Sequence, residues 1–491
     1  MQISFTTAKN GEKTAQVDNK FLHSSYNPSK EAERFVINLK TDFIPKLILI
    51  TEPALSYVIP YLKNKFKNAK ICIIRYVPDF NLYNNSADYV INYYEHKEDL
   101  DSFLLYKIGE ELLFNTLFIQ WHPSTNIFPE INKKVIISIK KAMENAKTLL
   151  ITREYYEKKW FINSCNFIKY INKTIVLKEK INKPIAIISS GPSLNTALTV
   201  IKENRDKLFV LALSSSISVC IRNKIIPDLC LSTDGGFWAG QHLKQLKRKF
   251  KNIPIALPVE SYVDKYLLKN NKILPLSYND GSSNLIIKLT NIPYMEAERN
   301  GTVSGTALNF ALSNCTNDIY FFGLDLSTQK RFQHCQPNEL EINNCLMDNK
   351  INNSEMRNFK AEISTSSLEI YKNWFETLNL SNRNVYRVID NNYKKNTLGE
   401  IKDISTSFFK KKIENKKNCI QSNFFIQTNS NKNLNNINKK IHIIVNSEEW
   451  LKTIFPLSFT SLIHDKNKEI INRVNKEKNK IINKIEKILH D

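Results

Sequence analysis

The chain has 491 residues, of which 42% are hydrophobic and 11% aromatic, a composition that indicates a folded globular protein and excludes a disordered one. The length exceeds what one hydrophobic core usually serves, so we expect two to four domains. The formal net charge of +22 comes from lysines spread along the whole chain. This charge favours anionic ligands, but no RNP motif, zinc finger or arginine-rich arm accompanies it, so nucleic-acid binding is not predicted.

The sequence also indicates where the protein acts. Its first residues are polar and no long uninterrupted apolar stretch occurs, so we expect neither a signal peptide nor a transmembrane segment. The eight cysteines are scattered and form no C-x-x-C pair. That pattern predicts reduced thiols rather than disulfides or a zinc site. We therefore expect a cytoplasmic protein.

The first part of the chain, residues 22–170, alternates between helical and strand-like patterns. This alternation predicts βαβ units and a parallel sheet. Within the second helical pattern, Pro60 is expected to bend the helix. The predicted strands are 46–52, 69–77 and 115–121, and the predicted helices are 29–40, 54–66 and one or two long helices over 130–171.

A second alternating block begins at Lys183 and ends near 385–390. Helical patterns separate most of its apolar runs, as in a doubly wound sheet. Its predicted strands are 184–189, 208–214, 229–233, 253–259, 272–277 and 319–323.

The composition changes after about residue 396. Residues 410–440 are rich in asparagine and lysine, which predicts a loop-like or disordered segment. Residues 471–491 form a basic amphipathic pattern, for which docking onto the protein is preferred to membrane binding. The fold class is therefore α/β, with two Rossmann-like parallel-sheet domains over 1–172 and 173–395. A mostly helical C-terminal region with a polar linker follows over 396–491.

The stretch "IAIISSGPSLN" (185–195) runs from an apolar strand through a Gly-Pro turn into a helical pattern. Gly191 permits close approach of the backbone to a ligand, and Pro192 is tolerated where a helix begins. Free N–H groups at a helix start bind anions. An ordinary strand-to-helix turn would need the same residues, and the stretch matches neither a G-x-G-x-x-G nor a Walker loop.

Polar residues follow several other predicted strands of this block. Because the carboxyl ends of parallel strands meet at one edge of a sheet, these residues should line one crevice. For any single residue, helix capping is the alternative. The set comprises Ser214, Ser215, Thr233, Asp234, Gly235, Glu260 and Asp325.

Three motifs in this block resemble a known family. "IAIISSGPSLN", "PDLCLSTDGG" and "GTVSGTALNFALSNCTNDIYFFGLDLS" are similar to the central domain of the motility-associated factor (Maf) flagellin glycosyltransferases. Residues 22–35, 365–378 and 385–401 resemble flanking segments of that family. The resemblance covers about residues 20–405.

The resemblance implies an enzyme that transfers a nonulosonic acid, such as pseudaminic or legionaminic acid, from a CMP-activated donor to Ser or Thr hydroxyls of flagellin. It implies no cofactor beyond that donor. In related sialyltransferases a Gly-Pro-Ser-Leu turn lies at the CMP site. The donor-binding residues implied here are Ser190, Gly191, Pro192, Ser193, Ser214, Ser215, Thr233, Gly235, Gly301, Thr302, Ser304, Gly305 and Thr306.

The reaction needs a base for the acceptor hydroxyl and stabilisation of the departing phosphate. The resemblance implies His334 as the candidate base, and a solvated loop histidine is the alternative. Asp234, Asp325 and Glu260 are the carboxylate candidates. No D-x-D or similar pattern is present, so we expect no required metal.

The first block departs from the family pattern. A glycine-rich turn is replaced by "LITEPALSYV", and Arg75 stands near the expected acidic position. A scaffold or flagellin-docking role is therefore favoured there over a nucleotide site.

Two other functions stay open for the whole chain. One is a hydroxymethylpterin diphosphokinase using ATP and Mg²⁺ with Asp234 as a ligand, and the other is a non-catalytic protein that binds flagellin.

Overall fold

The computed structural model describes residues 3–84, 86–327, 333–351, 353, 356, 366–380, 382–390, 397–414, 423–428, 433–459 and 468–490. The chain forms two compact units, Met1–Tyr155 with Leu451–Lys478, and Tyr156–Trp450 with Asn479–Asp491. Parallel sheets in both units and a largely helical C-terminal region confirm the α/β class. The three domain boundaries drawn from sequence stay a prediction.

The first unit contains a four-stranded parallel sheet in the order β6-β5-β4-β7 and an antiparallel sheet of β1, β2 and β3. Strand β4 is buried along its whole length, as a strand covered on both faces requires. The short strand β6 was not predicted. The elements are β1 Ile3–Thr7, β2 Lys13–Val17, β3 Lys20–Phe21, α1 Pro28–Ile37, β4 Leu47–Thr51, α2 Val58–Lys65, β5 Lys70–Arg75, β6 Tyr89–Asn92, α3 Leu100–Ile108, α4 Glu110–Phe114, β7 Thr116–Gln120 and α5 His122–Ile127.

Two helix predictions in this part of the chain are settled. Helix α2 begins at Val58, so Pro60 lies in its first turn, where the missing N–H costs no intrahelical hydrogen bond. The expected bend at Pro60 is therefore wrong. The pattern over 130–171 is one continuous helix, α6, Pro129–Tyr170.

The second unit is built on a sheet in the order β17-β16-β15-β9-β10-β11-β12-β13-β8-β18, with β14 paired to β13. Every strand except β18 runs parallel to its neighbours. The strand order reverses between β9 and β15, and ligands of open α/β sheets bind at such a point.

The chain order of this unit alternates strands with helices. Its elements are β8 Lys173–Leu177, β9 Ile185–Ile188, α7 Leu194–Glu203, β10 Phe209–Leu213, α8 Ile217–Arg222, β11 Leu229–Leu231, α9 Phe237–Leu243, β12 Ile255–Pro258, α10 Lys265–Asn270, β13 Lys272–Ser277, α11 Gly281–Ile287, β14 Met295–Glu296, α12 Val303–Asn314, β15 Ile319–Phe322, α13 Glu339–Leu346, α14 Ser366–Glu376 and β16 Val385–Val388.

The C-terminal region contributes strands as well as helices. Strand β18 pairs antiparallel with β8 at the edge of the large sheet, and neighbouring Phe424 packs against Phe209 with ring centroids 4.8 Å apart. The predicted loop over 410–440 is therefore wrong for these residues, because burial of two aromatic rings outweighs a polar local composition. The remaining elements are β17 Lys402–Ile404, α15 Thr406–Glu414, β18 Phe425–Thr428, α16 Leu434–Ile444, α17 Glu448–Ile454 and α18 Lys468–His490.

The amphipathic helix α18 buries one stripe of side chains. Val474, Ile481, Ile485 and Leu489 are at most 8% exposed, as a docking helix requires, while Ile471 and Ile482 are half-buried. A membrane-spanning helix is not found in the part of the chain that the structure describes. Seven cysteines are free thiols, and Cys419 lies outside the described residues.

Candidate active site

A cavity of about 230 Å³ lies at the carboxyl edge of the large sheet, beside the point where the strand order reverses between β9 and β15. We call it the first cavity. It brings together residues that the sequence placed after four different elements. The predicted residues on its wall are Ser190, Gly191, Ser215, Thr302, Ser304, Asp325 and His334.

Two glycines allow the turns after β9 and β15 to touch. The Gly191 N–H donates to the Gly323 carbonyl at 2.8 Å, and a Cβ on Gly191 would lie 2.5 Å from that oxygen. Gly323 has φ +71°, and its Cβ would lie 2.8 Å from the Ser189 carbonyl. A side chain at either position would force the turns apart. The Gly-Pro turn therefore has a structural role, which is to let the two turns pack closely.

The start of helix α7 is already occupied by a carboxylate. Asp325 accepts the Ser193 N–H at 2.8 Å and also the Ser193 hydroxyl, and both residues are at most 2% exposed. A phosphate at Ser193 would have to replace these bonds to Asp325, and the donor contact predicted for Ser193 stays a prediction. Burial raises the pKa of Asp325, although the bonds from Ser193 oppose that shift. Asp325 thus binds the residue at which helix α7 begins, and its predicted catalytic role stays a prediction.

Hydroxyl groups form much of the remaining wall. The Ser215 hydroxyl donates to the Ser190 hydroxyl at 2.9 Å, and the Ser189 and Ser304 hydroxyls lie 3.3 Å apart. Thr302 caps helix α12, whose first turn therefore borders the cavity. Hydroxyls and helix-start N–H groups suit an anionic ligand. Five predicted donor residues line neither described cavity: Pro192, Ser193, Ser214, Gly305 and Thr306.

His334 lines the first cavity and is held by a buried carboxylate. One oxygen of Glu341 lies 3.1 Å from His334 Nδ1 and also accepts the backbone N–H groups of Gln333 and His334. Burial alone would raise the pKa of Glu341, but the bonds and charge of His334 outweigh burial and lower it. Glu341 is therefore an ionised acceptor, which places the histidine proton on Nδ1 and the lone pair on Nε2. Sequence reasoning missed Glu341.

A second cavity of about 520 Å³ adjoins the first, and both are lined by Thr302, Val303 and Tyr371. The single crevice expected from sequence is thus two cavities with a common wall. The predicted residues on the second cavity are Thr233, Asp234, Gly235, Glu260, Gly301 and Thr302.

Glu260 in the second cavity is fully engaged. Arg299 binds both of its carboxylate oxygens at 2.5 and 3.0 Å, and the Ser283 hydroxyl donates to it at 2.7 Å. The side chain is 3% exposed. A proton acceptor needs an oxygen that is open to the substrate, and both oxygens of Glu260 are bonded to Arg299, so its catalytic role stays a prediction that these contacts do not favour.

Arg299 is the residue of this cavity that sequence reasoning overlooked, although it stands two positions before Gly301. It also binds Asp280 through two nitrogens at 2.7 and 3.0 Å. Its guanidinium lies 4.7 Å from the Trp160 ring centre and 4.5 Å from that of Tyr278. Burial would lower the pKa of Arg299, but its bonds to Asp280 and Glu260 raise it instead. Trp160 belongs to α6, which carries no motif that points to a site.

Asp234 differs from the other two carboxylate candidates. It is exposed on the second cavity, and its carboxylate accepts the Gly236 N–H at 2.8 Å. Of the four predicted catalytic side chains, His334 and Asp234 therefore face a cavity with a basic atom available. The roles assigned to them stay predictions.

The carboxyl edge of the small parallel sheet in the first unit has a different character. Arg75 and Glu52 form a fully buried ion pair at 2.7 Å. Arg75 also donates to Asn84, Ser56 and two carbonyl groups. Burial raises the pKa of Glu52 against the opposing charge of Arg75, yet both of its oxygens accept N–H groups. We conclude that it is ionised.

Three comparisons show which known proteins this chain is similar to in sequence or in fold. Residues 158–331 match the family model "6-hydroxymethylpterin diphosphokinase MptE-like". An uncharacterized protein from Treponema pallidum (strain Nichols) is 28% identical over 281 residues, which cover 57% of this chain and 61% of that protein. The chain thus spans less than two thirds of that relative's length.

The fold is similar to that of a solved protein. The Maf glycosyltransferase from Magnetospirillum magneticum AMB-1 aligns with a TM-score of 0.53 at 12% identity, covering 100% of this chain and 91% of that one. At this identity the likeness concerns the fold. It confirms, at that level, the resemblance to Maf proteins that the sequence motifs carry.

Proposed function

We propose that this protein is a cytoplasmic glycosyltransferase that moves a nonulosonic acid from a CMP-activated donor to Ser or Thr of flagellin, and so supports flagellar assembly and motility. The observation that carries the proposal is the His334–Glu341 pair on the wall of a hydroxyl-lined cavity at the strand-order reversal. The fold likeness to a Maf glycosyltransferase supports it.

The first cavity would hold the nucleotide phosphate. Ser190, Ser215 and Ser304 offer hydroxyls there, and the first turn of α12 offers backbone N–H groups. These neutral donors are fixed by the fold, so they can stabilise charge on the departing phosphate with little rearrangement. Asp325 stays turned toward Ser193 and so presents less of its charge to the donor.

His334 would act as the base. The acceptor hydroxyl oxygen forms a bond to the anomeric carbon, the bond from that carbon to the phosphate oxygen breaks, and CMP leaves with the electron pair. Nε2 of His334 takes the hydroxyl proton, because Glu341 holds the other ring proton on Nδ1. The Glu341 charge stabilises the imidazolium that forms.

The test is direct transfer. Purified protein, CMP-pseudaminic acid or CMP-legionaminic acid, and unmodified flagellin are incubated with EDTA, and intact mass is followed. We expect a mass increase of one sugar per modified site, which His334→Ala abolishes and which chelation leaves unchanged. No transfer from either donor would contradict the proposal. Flagellin binding without transfer would favour the accessory role instead.

The family model over residues 158–331 favours one second candidate, a hydroxymethylpterin diphosphokinase. That activity would use ATP and Mg²⁺, with Asp234 as a ligand. The residues fit a metal poorly, because Glu260 beside Asp234 is bound by Arg299. Among the described residues, no group of three His, Cys, Asp or Glu side chains is placed to hold an ion. Formation of a pterin diphosphate that requires Mg²⁺ would establish this alternative.

A further inference from the structure

We propose that the second cavity is the acceptor subsite, and that it binds a Ser- or Thr-bearing polypeptide segment without acidic side chains. This inference rests on the proposed transfer reaction. It assigns Trp160 as the main contact surface and Asp234 as the residue that selects against acidic segments. Both side chains line the cavity.

The charge of the cavity argues against the donor as its occupant. Glu260 and Asp280 both contact Arg299, and the exposed Asp234 lines the same cavity, so three carboxylates and one guanidinium lie on or next to its wall. Four of the five Arg299 N–H groups already point at Glu260 or Asp280. A CMP-nonulosonic acid carries a phosphate and a carboxylate, which would meet net negative charge here. The carboxylate on the described wall of the first cavity, Asp325, is instead buried and bonded to Ser193.

The surface of the cavity fits a polypeptide. Trp160 stacks on Tyr156 with ring centroids 5.6 Å apart, and Tyr278 and Tyr371 line other parts of the wall. Aromatic side chains supply large apolar contact areas with a polar edge and lose little conformational entropy on binding. The exposed Asp234 carboxylate can accept hydrogen bonds from a hydroxyl, a backbone N–H or a lysine.

The aromatic wall is fixed before any ligand binds. Arg299 lies between Trp160 and Tyr278 and is bonded to the residues that follow β12 and β13. On another side of Trp160, a Cβ at Gly235 would lie 2.6 Å from the indole nitrogen. A surface held in this way binds without the cost of ordering its side chains.

The position of the cavity suits an acceptor. Thr302, Val303 and Tyr371 line both cavities, so a hydroxyl held at this common wall would lie next to a donor in the first cavity. The second cavity, at about 520 Å³, is more than twice the volume of the first, at about 230 Å³. A side chain with its neighbouring backbone needs such room.

The experiment separates donor use from acceptor use. Hydrolysis of the CMP-sugar by water, measured without flagellin, reports the first cavity alone, and transfer to flagellin reports both. The variants are Trp160→Ala, Trp160→Phe and Asp234→Asn. Tyr266→Ala on the short helix α10 and Asp264→Asn at its N-cap are the controls, because Tyr266 is exposed and neither residue lines either of the two described cavities.

We expect Trp160→Ala to raise the flagellin KM about tenfold or more, as loss of a central aromatic contact does, with the hydrolysis rate and CMP affinity unchanged. Trp160→Phe should recover most of the affinity. Asp234→Asn should lose the preference for basic over acidic Ser/Thr peptides. Equal loss of hydrolysis and transfer in Trp160→Ala would overturn the inference and assign the cavity to the donor.

The inference and the proposed function can fail separately. If wild-type protein neither hydrolyses nor transfers the CMP-sugar, the proposed function fails. Flagellin binding, measured by biolayer interferometry without donor, then decides on the cavity. Weaker binding of Trp160→Ala than of Tyr266→Ala supports the acceptor surface, and equal binding contradicts it.

Discussion

The two parallel sheets of this protein differ in what lies at their carboxyl edges. At the carboxyl edge of the small sheet, Arg75 and Glu52 fill the space with a buried ion pair whose hydrogen-bonding groups are satisfied by the protein. At the same edge of the large sheet, two cavities open, and their walls carry hydroxyls, His334 and Asp234. The sheets share a strand arrangement, but only the large one offers polar groups to a ligand among the residues described.

The turns explain the difference. The large sheet brings two turns together through Gly191 and Gly323, and the backbone leaves room beside them. In the small sheet the turn after β4 carries Glu52, Ala54 and Ser56 in the left-handed region without a glycine. Such residues are strained, and here the Arg75 side chain binds all three. The position of the proposed ligand site in the large sheet is thus taken in the small sheet by a structural ion pair.

The largest expected effect concerns His334, at the carboxyl edge of the large sheet. His334→Ala should lower sugar transfer by about 10²–10⁴-fold, the usual contribution of a positioned base. CMP affinity and the melting temperature should stay near the wild-type values, because His334 is a loop residue on the cavity wall. Single-turnover kinetics measure the rate of transfer, and calorimetric titration measures the affinity for CMP. Transfer at the wild-type rate would remove His334 from the mechanism.

Substitutions at the carboxyl edge of the small sheet should change the free energy of unfolding. Arg75→Met leaves the Glu52 carboxylate buried without its partner, which costs about 3–5 kcal/mol. The double variant E52M/R75M removes both charges and should recover part of that loss. Denaturant unfolding followed by fluorescence checks the prediction. A single variant as stable as the double one would show that the pair is not the main stabilising feature of this edge.

A smaller effect is expected where the two turns touch. In Gly191→Ala the new methyl group would lie 2.5 Å from a backbone oxygen and 2.7 Å from the Asp325 carboxyl. The turns must separate, at a cost of about 1–3 kcal/mol, and CMP affinity should fall with them. Thermal melts and CMP titration of the same sample would show both changes. A variant that melts and binds like wild type would mean that the contact is loose.

The smallest effect concerns the support of His334. The pKa of Glu341 is lowered in the fold, so its contribution to stability is complete above the unfolded pKa of about 4.3 and is lost as the pH falls through the lowered value. Glu341→Gln should cost about 1 kcal/mol at pH 7. The gap in melting temperature should shrink as the pH falls below the unfolded pKa of about 4.3. The exposed Glu296→Gln serves as the control, and a pH-independent gap for Glu341→Gln would refute the argument.

Most strands of the large sheet could be predicted because they are apolar runs followed by polar residues or glycine, and every one predicted from 184–189 to 319–323 is present. The clustering of polar residues at their ends followed from strand direction alone. Strands β8, β14, β17 and β18 of this sheet were missed, because short strands owe their stability to a partner strand elsewhere in the sequence.

The site was less predictable than the fold. Ser193 was predicted as a phosphate contact and Asp325 as a catalytic carboxylate, but the two bind each other across 132 residues of sequence. Glu260 looked free until Arg299 was seen on both of its oxygens. Glu341 and Trp160 lie in segments without a motif. Which polar groups satisfy one another is set by tertiary contacts, and local sequence does not carry that information.

The measurement closest to the central claim is a calorimetric titration with CMP in the presence of EDTA. The wild-type protein and E52M/R75M should each bind one CMP per chain with the same affinity, because the carboxyl edge of the small sheet takes no part in CMP binding. Gly191→Ala should bind it much more weakly. Loss of binding in E52M/R75M with retention in Gly191→Ala would contradict the account, and so would the absence of any CMP binding.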